Sequence, residues 1–179
     1  MSAKPFLHDV QTLQLRVRRH LDDGAGTTCA DMGRETILRL LNASLATELV
    51  CVLRYRRYHF FARQCRSDEA AAQFIAHTSE EQDHVDQIAE RIVQLGGEPD
   101  FSQDGLVSQD HAGAGEGLSL LDLIKEDIVA ECIAMDSYRE IVSYLQHRDP
   151  ATHRMMAGIL VTEEKHAREM AGLLEGVEA

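Results

Sequence analysis

Two glutamates in this chain each precede a Glu-x-x-His motif by nearly the same distance along the sequence. The first copy places its two glutamates at positions 48 and 81, and the second copy places them at positions 131 and 163. The two copies consist of Glu48, Glu81 and His84, and of Glu131, Glu163 and His166. Four helices that carry one glutamate on two of them and Glu-x-x-His on the other two can hold a carboxylate-bridged pair of metal ions.

Helix geometry explains the spacing within each motif. Residues i and i+3 lie on one helix face, so Glu81 and His84 can reach the same ion, as can Glu163 and His166. We predict that the two motif glutamates bridge the ions and that each motif histidine binds one ion. Each lone glutamate is predicted to be a terminal ligand to one ion.

Apolar rows at helical spacing place these glutamates in the interior. The row around the first glutamate reads Ile37, Leu41, Ser44, Glu48, Cys51 and Tyr55, and the other three glutamates interrupt similar rows. A carboxylate moved from water into such surroundings loses solvation free energy on the order of several kcal/mol. A nearby cation is needed to compensate for that loss. Two divalent cations would balance four carboxylates, and carboxylate with imidazole suits iron, manganese or zinc.

The same periodicity predicts four long helices. They cover about 31–66, 68–95, 119–147 and 150 to 172–176. Residues 98–117 contain Pro99 and four glycines and have little periodicity. A connection of this length lets the second helical hairpin cross the full length of a bundle. We therefore expect an all-α, antiparallel four-helix bundle with one long crossover between its second and third helices.

The N-terminal part of the chain is predicted to lie outside this bundle. Residues 6–22 have the spacing of a short amphipathic helix, and a loop containing Gly24 and Gly26 follows. We divide the chain into an extension over 1–30 and a bundle domain over 31–176.

Two tyrosines repeat the pattern of the lone glutamates. Tyr55 lies seven residues after Glu48, and Tyr138 lies seven residues after Glu131. Each is two helical turns along the face that carries the ligands, where a phenol could donate a hydrogen bond to a ligand or supply an electron. Packing in the core, with the hydroxyl bonded elsewhere, is the other interpretation.

A histidine and two cysteines also lie near the ligands in sequence. His77 stands two turns before His84 and is the one further histidine with a comparable context. Cys51 and Cys132 follow the lone glutamates closely, and we expect each to be a small buried side chain in the core.

Charge and cysteine content limit the partners and the compartment. The formal net charge is -12, from 30 acidic and 18 basic residues, so most of the surface repels nucleic acid and anionic lipid. The four cysteines form no C-x-x-C pair, which favours reduced thiols in a cytoplasmic protein. We expect no membrane span, because the chain has no run of 18 apolar residues.

The motifs resemble those of bacterioferritin over about residues 36–172. The similar segments are Thr47-Glu48-Leu49-Val50 with Tyr55, Glu81-x-x-His84, Ala89-Glu90-Arg91-Ile92, Leu95-Gly96-Gly97-Glu98-Pro99, Ala130-Glu131 and Glu163-Glu164-x-His166. The resemblance implies a ferritin-like bundle with a ferroxidase centre. In that family the centre oxidises Fe(II) with dioxygen or peroxide, and Fe(III) is stored as mineral inside a hollow shell.

Two departures from bacterioferritin refine this expectation. The family places a haem-binding methionine directly after the first motif glutamate, where this chain has Gln82, so no haem is expected. The sequence ends at Ala179, soon after His166, which leaves no room for the short fifth helix of the 24-subunit shell. A Dps-like protein with a bacterioferritin-type site and a 12-subunit shell is therefore the closer match. The cysteine pair of thioferritins does not align, since only Cys132 lies nearby.

Three hypotheses follow. The favoured one is a homo-oligomeric ferroxidase that binds two iron ions per subunit, with manganese or zinc as possible substitutes, and has Glu48, Glu81, His84, Glu131, Glu163, His166 and Tyr55 as its site. The second is a di-iron or di-manganese oxidoreductase without a shell, such as a catalase-like or hydroxylase-like bundle. The third is a DNA-protecting Dps-type coat, which the net charge of -12 disfavours. The choice between dioxygen and peroxide stays open.

Overall fold

Four α-helices make up the part of the chain that the computed structural model describes, residues 29–102 and 119–178. They are α1 (Cys29–Gln64), α2 (Asp68–Gln94), α3 (Leu120–Leu145) and α4 (Pro150–Glu178). Within these described ranges there is no strand, which confirms the all-α prediction. Three predicted features fall outside the described residues: the helix over 6–22, residues 1–28 of the predicted extension over 1–30, and most of the crossover.

Short turns join the helices into two hairpins. Residues 65–67 connect α1 to α2, and residues 146–149 connect α3 to α4, so each pair lies antiparallel and packs along its length. The connection from α2 to α3 spans residues 95–119, in agreement with the expected long link. The hairpins then face each other, α1 against α3 and α2 against α4.

The end of α2 and the start of α3 lie at residues with helix-capping sequences. Gly96 has a φ of +73°, and the N–H groups of Gly96 and Gly97 donate to the carbonyls of Val93 and Ile92. This is the Schellman arrangement that a glycine in the left-handed region favours. At the start of α3, the Ser119 hydroxyl accepts from the Asp122 N–H while the Asp122 carboxylate accepts from the Ser119 N–H, which forms a capping box.

Two apolar clusters fill the interior on either side of the glutamates and histidines. The first cluster includes Leu41, Leu45, Ile88, Ile92, Ile141, Met156 and Ile159. The second includes Tyr55, Tyr58, Phe74, Leu123, Ile124 and Met170. On α1, Glu48 lies between Leu45 of one cluster and Cys51 of the other. The predicted ligands therefore occupy a polar layer at mid-bundle, with apolar side chains packed on both sides of it.

One stretch of α1, Gly33–Gln64, is long and apolar enough to cross a membrane by length and composition alone. Half of its most apolar window is buried inside the bundle, and it carries Glu48 into the core. Core helices of bundles meet the same criterion because they bury an apolar face.

Candidate dimetal centre

All six predicted ligands are buried in one layer of the bundle. None is more than 4% exposed, and the six are Glu48, Glu81, His84, Glu131, Glu163 and His166. The helices contribute them in the predicted distribution, one glutamate each from α1 and α3 and a Glu-x-x-His pair each from α2 and α4. The structure thus brings together every residue that the repeated motif singled out.

The motif glutamates reach both histidines with separate oxygens. Glu81 places Oε1 at 3.0 Å from His166 Nδ1 and Oε2 at 3.4 Å from His84 Nδ1. Glu163 places Oε1 at 3.0 Å from His84 Nδ1 and Oε2 at 3.3 Å from His166 Nδ1. Each carboxylate therefore spans the two histidine positions, which is the arrangement of a carboxylate that bridges two ions.

Each lone glutamate belongs to one half of the centre, Glu48 to the half with His84 and Glu131 to the half with His166. Glu48 Oε2 lies 3.2 Å from His84 Nδ1, and its other oxygen accepts a hydrogen bond from the Tyr138 hydroxyl. On the other side, the Tyr55 hydroxyl donates to Glu131 Oε1 at 2.5 Å. The pairing is crossed, since each tyrosine bonds the glutamate of the opposite helix. Both phenols thus donate hydrogen bonds to predicted ligands, which agrees with the first interpretation of the sequence rather than with simple core packing.

Unpartnered polar atoms at the centre fit a metal ion. Within the described residues, several buried ligand atoms have no hydrogen-bond partner: both Glu81 oxygens, Glu131 Oε2, Glu163 Oε1 and His166 Nδ1. Such atoms are costly in a protein interior unless something else satisfies them. Ligand atoms of Glu48, Glu81, His84 and Glu163 lie within 4.8 Å of one another, as do those of Glu131, Glu163 and His166. The structure therefore contains two groups of oxygen and nitrogen donors, sharing the Glu163 carboxylate, each of which could hold a metal ion.

Burial and neighbouring charges shift the pKa values of carboxylates at the centre. Burial, with the charges of neighbouring carboxylates, raises the pKa of Glu81 and of Glu131 well above the usual value. Glu163 differs: burial acts in the same direction, but close ion-pair contacts with His166 and His84, at 3.3 and 3.0 Å, outweigh it and lower its pKa to about 2. Ionised carboxylates persist here only where positive charge accompanies them.

In the absence of metal, the imidazoles supply that charge. Burial by itself would lower the pKa of His84, but close contacts with the carboxylates of Glu163, Glu48 and Glu81 outweigh it and raise the pKa to about 12. The pKa of His166 rises to about 9 against the same effect of burial, chiefly through its ion-pair contact with Glu163 at 3.3 Å. A metal ion that binds at Nδ1 must displace these protons, so metal binding and proton release are coupled.

A second layer of polar side chains lies between α2 and α4, beside His166. Glu80 Oε2 lies 2.7 Å from His166 Nε2, and Lys165 bonds both Glu80 oxygens at 2.9 and 3.1 Å. His77 stacks on the His166 ring with centroids 4.0 Å apart, and its Nε2 lies 2.8 Å from Glu169 Oε2. The sequence singled out His77, whereas Glu80 went unnoticed because it precedes a motif residue without belonging to the motif.

A fifth buried carboxylate, Asp127, was not predicted from the sequence. It is fully buried one turn before Glu131, and neither of its oxygens has a hydrogen-bond partner within the described residues. Burial raises its pKa to about 7, although the charge of Arg54 acts in the opposite direction. Its i−4 spacing from Glu131 was the signal that could have revealed it.

The two cysteines near the ligands differ from each other. Cys51 is buried, as predicted, and burial raises the pKa of its thiol well above the usual value, so the side chain stays neutral. Cys132 is exposed, so the prediction of a core position was wrong for this residue. It directly follows Glu131 on α3, and adjacent residues of a helix do not share a face.

Comparison with known proteins decides the family. The model of the ferritin-like domain family matches residues 38–179, most of the chain. The chain belongs to the ferritin-like family. This ferritin-like protein is similar to bacterioferritin from Desulfovibrio desulfuricans, with 25% identity over 131 residues that cover 73% of this chain and 69% of that protein. It is also 25% identical to bacterioferritin BfrA from Mycobacterium tuberculosis over 144 residues, 80% of this chain and 86% of the relative.

Solved structures agree on the fold of this ferritin-like protein. A bacterioferritin-related protein from Bacteroides fragilis, a dodecameric thioferritin, superposes with a TM-score of 0.73 at 22% identity, covering 81% of this chain and 88% of the other. The diiron bacterioferritin of D. desulfuricans superposes with a TM-score of 0.75 at 20% identity, covering 85% of each chain. The predicted ferritin-like four-helix bundle is thereby confirmed.

Proposed function

We propose that this ferritin-like protein is a ferroxidase that binds two Fe(II) ions per subunit at the mid-bundle centre and oxidises them. The observation that carries the proposal is the position of Glu81 and Glu163. Each presents one oxygen to each histidine side at 3.0–3.4 Å, so the two ions would share two carboxylates. A centre of this kind brings two one-electron donors together, which a two-electron oxidant requires.

The chain's own residues have separable tasks in this proposal. Glu48 and Glu131 complete one side each, and the tyrosine hydroxyls fix their orientation. Both phenols have a pKa raised well above the usual value by burial, so they remain protonated donors. The apolar clusters on both sides exclude bulk water, which strengthens the attraction between carboxylates and cations. The ligands are thus preorganised for divalent ions rather than assembled around them.

The redox balance needs only Fe(II) and an oxidant. Two Fe(II) ions give two electrons to hydrogen peroxide, which takes two protons and becomes two waters, or to dioxygen, which takes two protons and becomes hydrogen peroxide. Removal of peroxide in the first case, or storage of the Fe(III) product in both, would protect the cell from radical chemistry. Manganese or zinc could occupy the same donors, and zinc, which has no redox chemistry, would not undergo this reaction.

We further propose that the subunits form a closed homo-oligomeric shell of twelve in the cytoplasm. The similarity to a dodecameric protein supports this arrangement. Large apolar side chains stand exposed on the outer helix faces of the single chain, including Leu53, Phe60, Val129, Ile133 and Val161. Exposed apolar surface of this kind is typical of faces that other subunits cover.

Anaerobic Fe(II) titration followed by oxygen or peroxide tests the activity. The wild-type protein should bind two Fe(II) per subunit and oxidise them faster than buffer alone, and the two oxidants should differ in rate. Glu163→Ala should lose this activity, whereas the adjacent Glu164→Ala should retain it, because Glu164 bonds Arg139 at the surface. A wild-type protein that takes up no Fe(II), or oxidises it no faster than buffer, would refute the proposal.

Native mass measurement separates the shell from a shell-free oxidoreductase. Before iron is added, the shell should have twelve times the subunit mass of 20.0 kDa. A monomer or dimer with two metal ions and catalase-like or hydroxylase-like turnover would favour the second hypothesis. A gel shift at low and moderate salt tests the DNA-protecting coat, for which a chain of net charge -12 should show no stable complex.

A further inference from the structure

The two halves of the centre are related by one constant offset along the chain, from α2 to α4. Glu81 corresponds to Glu163, and His84 corresponds to His166. By the same offset, Glu80 on α2 corresponds to Thr162 on α4. The ligands are thus duplicated, but the residue that precedes each motif glutamate is not.

This difference gives the two ligand histidines different supports. The Glu80 carboxylate lies 2.7 Å from His166 Nε2, and both of its oxygens also accept from the Lys165 ammonium group. A carboxylate paired with an ammonium group only accepts hydrogen bonds, so His166 Nε2 carries the proton. When His166 loses its second proton on metal binding, the lone pair is therefore on Nδ1, the nitrogen that faces Glu81 and Glu163.

In the part of the chain that the structure describes, His84 has no matching support at Nε2. The Thr162 hydroxyl donates back to the carbonyl of Gly158, and within the described residues no side chain bonds His84 Nε2. Stacking repeats the asymmetry, because His77 lies against His166 at 4.0 Å while its counterpart by the same offset is the apolar Ile159. Among the described residues, the His166 ring is thus held at Nε2 by a hydrogen bond and on one face by a stacked imidazole, whereas the His84 ring has neither of these two supports.

We propose that Glu80 is a positioning residue that makes the Glu131–His166 metal position the tighter of the two. The inference rests on the proposed dimetal function and adds an order of filling to it. An outer carboxylate that accepts from a ligand histidine fixes its ring and tautomer and makes the ligating nitrogen more basic. The first ion therefore enters at Glu131 and His166, and the second at Glu48 and His84.

Titration of the metal-free protein with Co(II), followed by visible absorption and calorimetry, tests this order without any turnover. The wild type should bind two Co(II) in two resolved steps. Glu80→Ala should weaken the tighter step by about 10- to 100-fold, the usual effect of removing such a carboxylate, and leave the weaker step within about threefold. Glu80→Gln keeps an acceptor oxygen without the charge, so its loss should be intermediate. Glu164→Ala, which removes a carboxylate bonded to Arg139 instead, is the matched control and should change neither step.

Two further measurements assign the steps to positions. His166→Ala should abolish the tighter step, while His84→Ala should keep it. In the proton spectrum of the Co(II) protein, one hyperfine-shifted imidazole N–H should exchange slowly with water, and Glu80→Ala should make it exchange fast. The proposal is overturned if the wild-type steps have equal affinity, or if Glu80→Ala leaves the tighter step intact or weakens both equally. A wild type that binds fewer than two Co(II) would instead refute the dimetal function itself.

Discussion

Replacing Glu81 by glutamine should stabilise the metal-free protein and weaken its response to metal. The Glu81 side chain is fully buried, and within the described residues neither oxygen makes a hydrogen bond, although each lies 3.0–3.4 Å from an imidazole nitrogen. A buried polar group without a partner costs about 1–3 kcal/mol. Glutamine has nearly the same shape, carries no charge, and can donate an N–H to Glu48, which approaches Glu81 closely enough to add to the effect of burial on its pKa.

The expected gain is therefore about 1–3 kcal/mol, or about 2–12 °C in Tm for a chain of this size. The size of this gain in unfolding free energy depends on pH. Because the pKa of Glu81 is raised in the folded state, its ionisation lowers stability as pH rises above the unfolded value of 4.5. The advantage of Glu81→Gln should accordingly grow with pH.

Thermal unfolding at pH 8, with and without Co(II) and at one protein concentration, provides the assay. Without metal the variant should unfold at a higher temperature than the wild type. With Co(II) at about 100 times its Kd, the wild type should gain about 2.7 kcal/mol per site, and the variant, lacking a bridging carboxylate, should gain less. Glu164→Gln should change Tm little, since exposed ion pairs contribute about 0–1 kcal/mol. A metal-free Glu81→Gln protein less stable than the wild type would refute the reasoning.

Three other predictions concern protons at the centre. The pKa values of about 12 for His84 and about 9 for His166 both exceed 6.5, so each imidazole contributes fully to metal-free stability below pH 6.5. That contribution is lost as pH rises through 9 for His166 and through 12 for His84. Metal affinity should rise over the same range, and calorimetry at pH 7 in two buffers of different ionisation enthalpy should detect released protons; no release would contradict this. Tyr138→Phe should cost the metal-free protein about 1.5–3 kcal/mol in urea unfolding by leaving Glu48 short of a donor, and an unchanged midpoint would contradict that. Asp127→Asn should be stabilising by several kcal/mol, about 1.4 per pKa unit, with the gain growing from pH 4 to about 7 and then constant; equal stability of the two proteins at pH 8 would contradict it.

Much of the fold and the ligand set could be predicted because both follow from periodicity along single helices. A glutamate in an apolar row is visible without knowledge of the partner helix, as Glu48 and Glu131 illustrate. Gly96-Gly97 and Pro150 marked the end of α2 and the start of α4, and both boundaries lie within a residue of the prediction.

Relations between helices could not be predicted in this way. The crossed bonds from Tyr55 to Glu131 and from Tyr138 to Glu48 depend on how α1 faces α3. Glu80 is about one-third exposed, and only the approach of α4 gives its carboxylate a histidine to hold. These contacts are set by packing distances, which a single sequence does not contain.

The most direct test of the dimetal centre is anomalous diffraction from crystals loaded with Fe(II) without oxygen, measured on both sides of the iron edge. Two peaks per subunit should lie between Glu81 and Glu163, about 3.5–4 Å apart as in other two-metal sites. One peak should adjoin His84 and the other His166. A single peak, or iron bound only at surface carboxylates, would contradict the account.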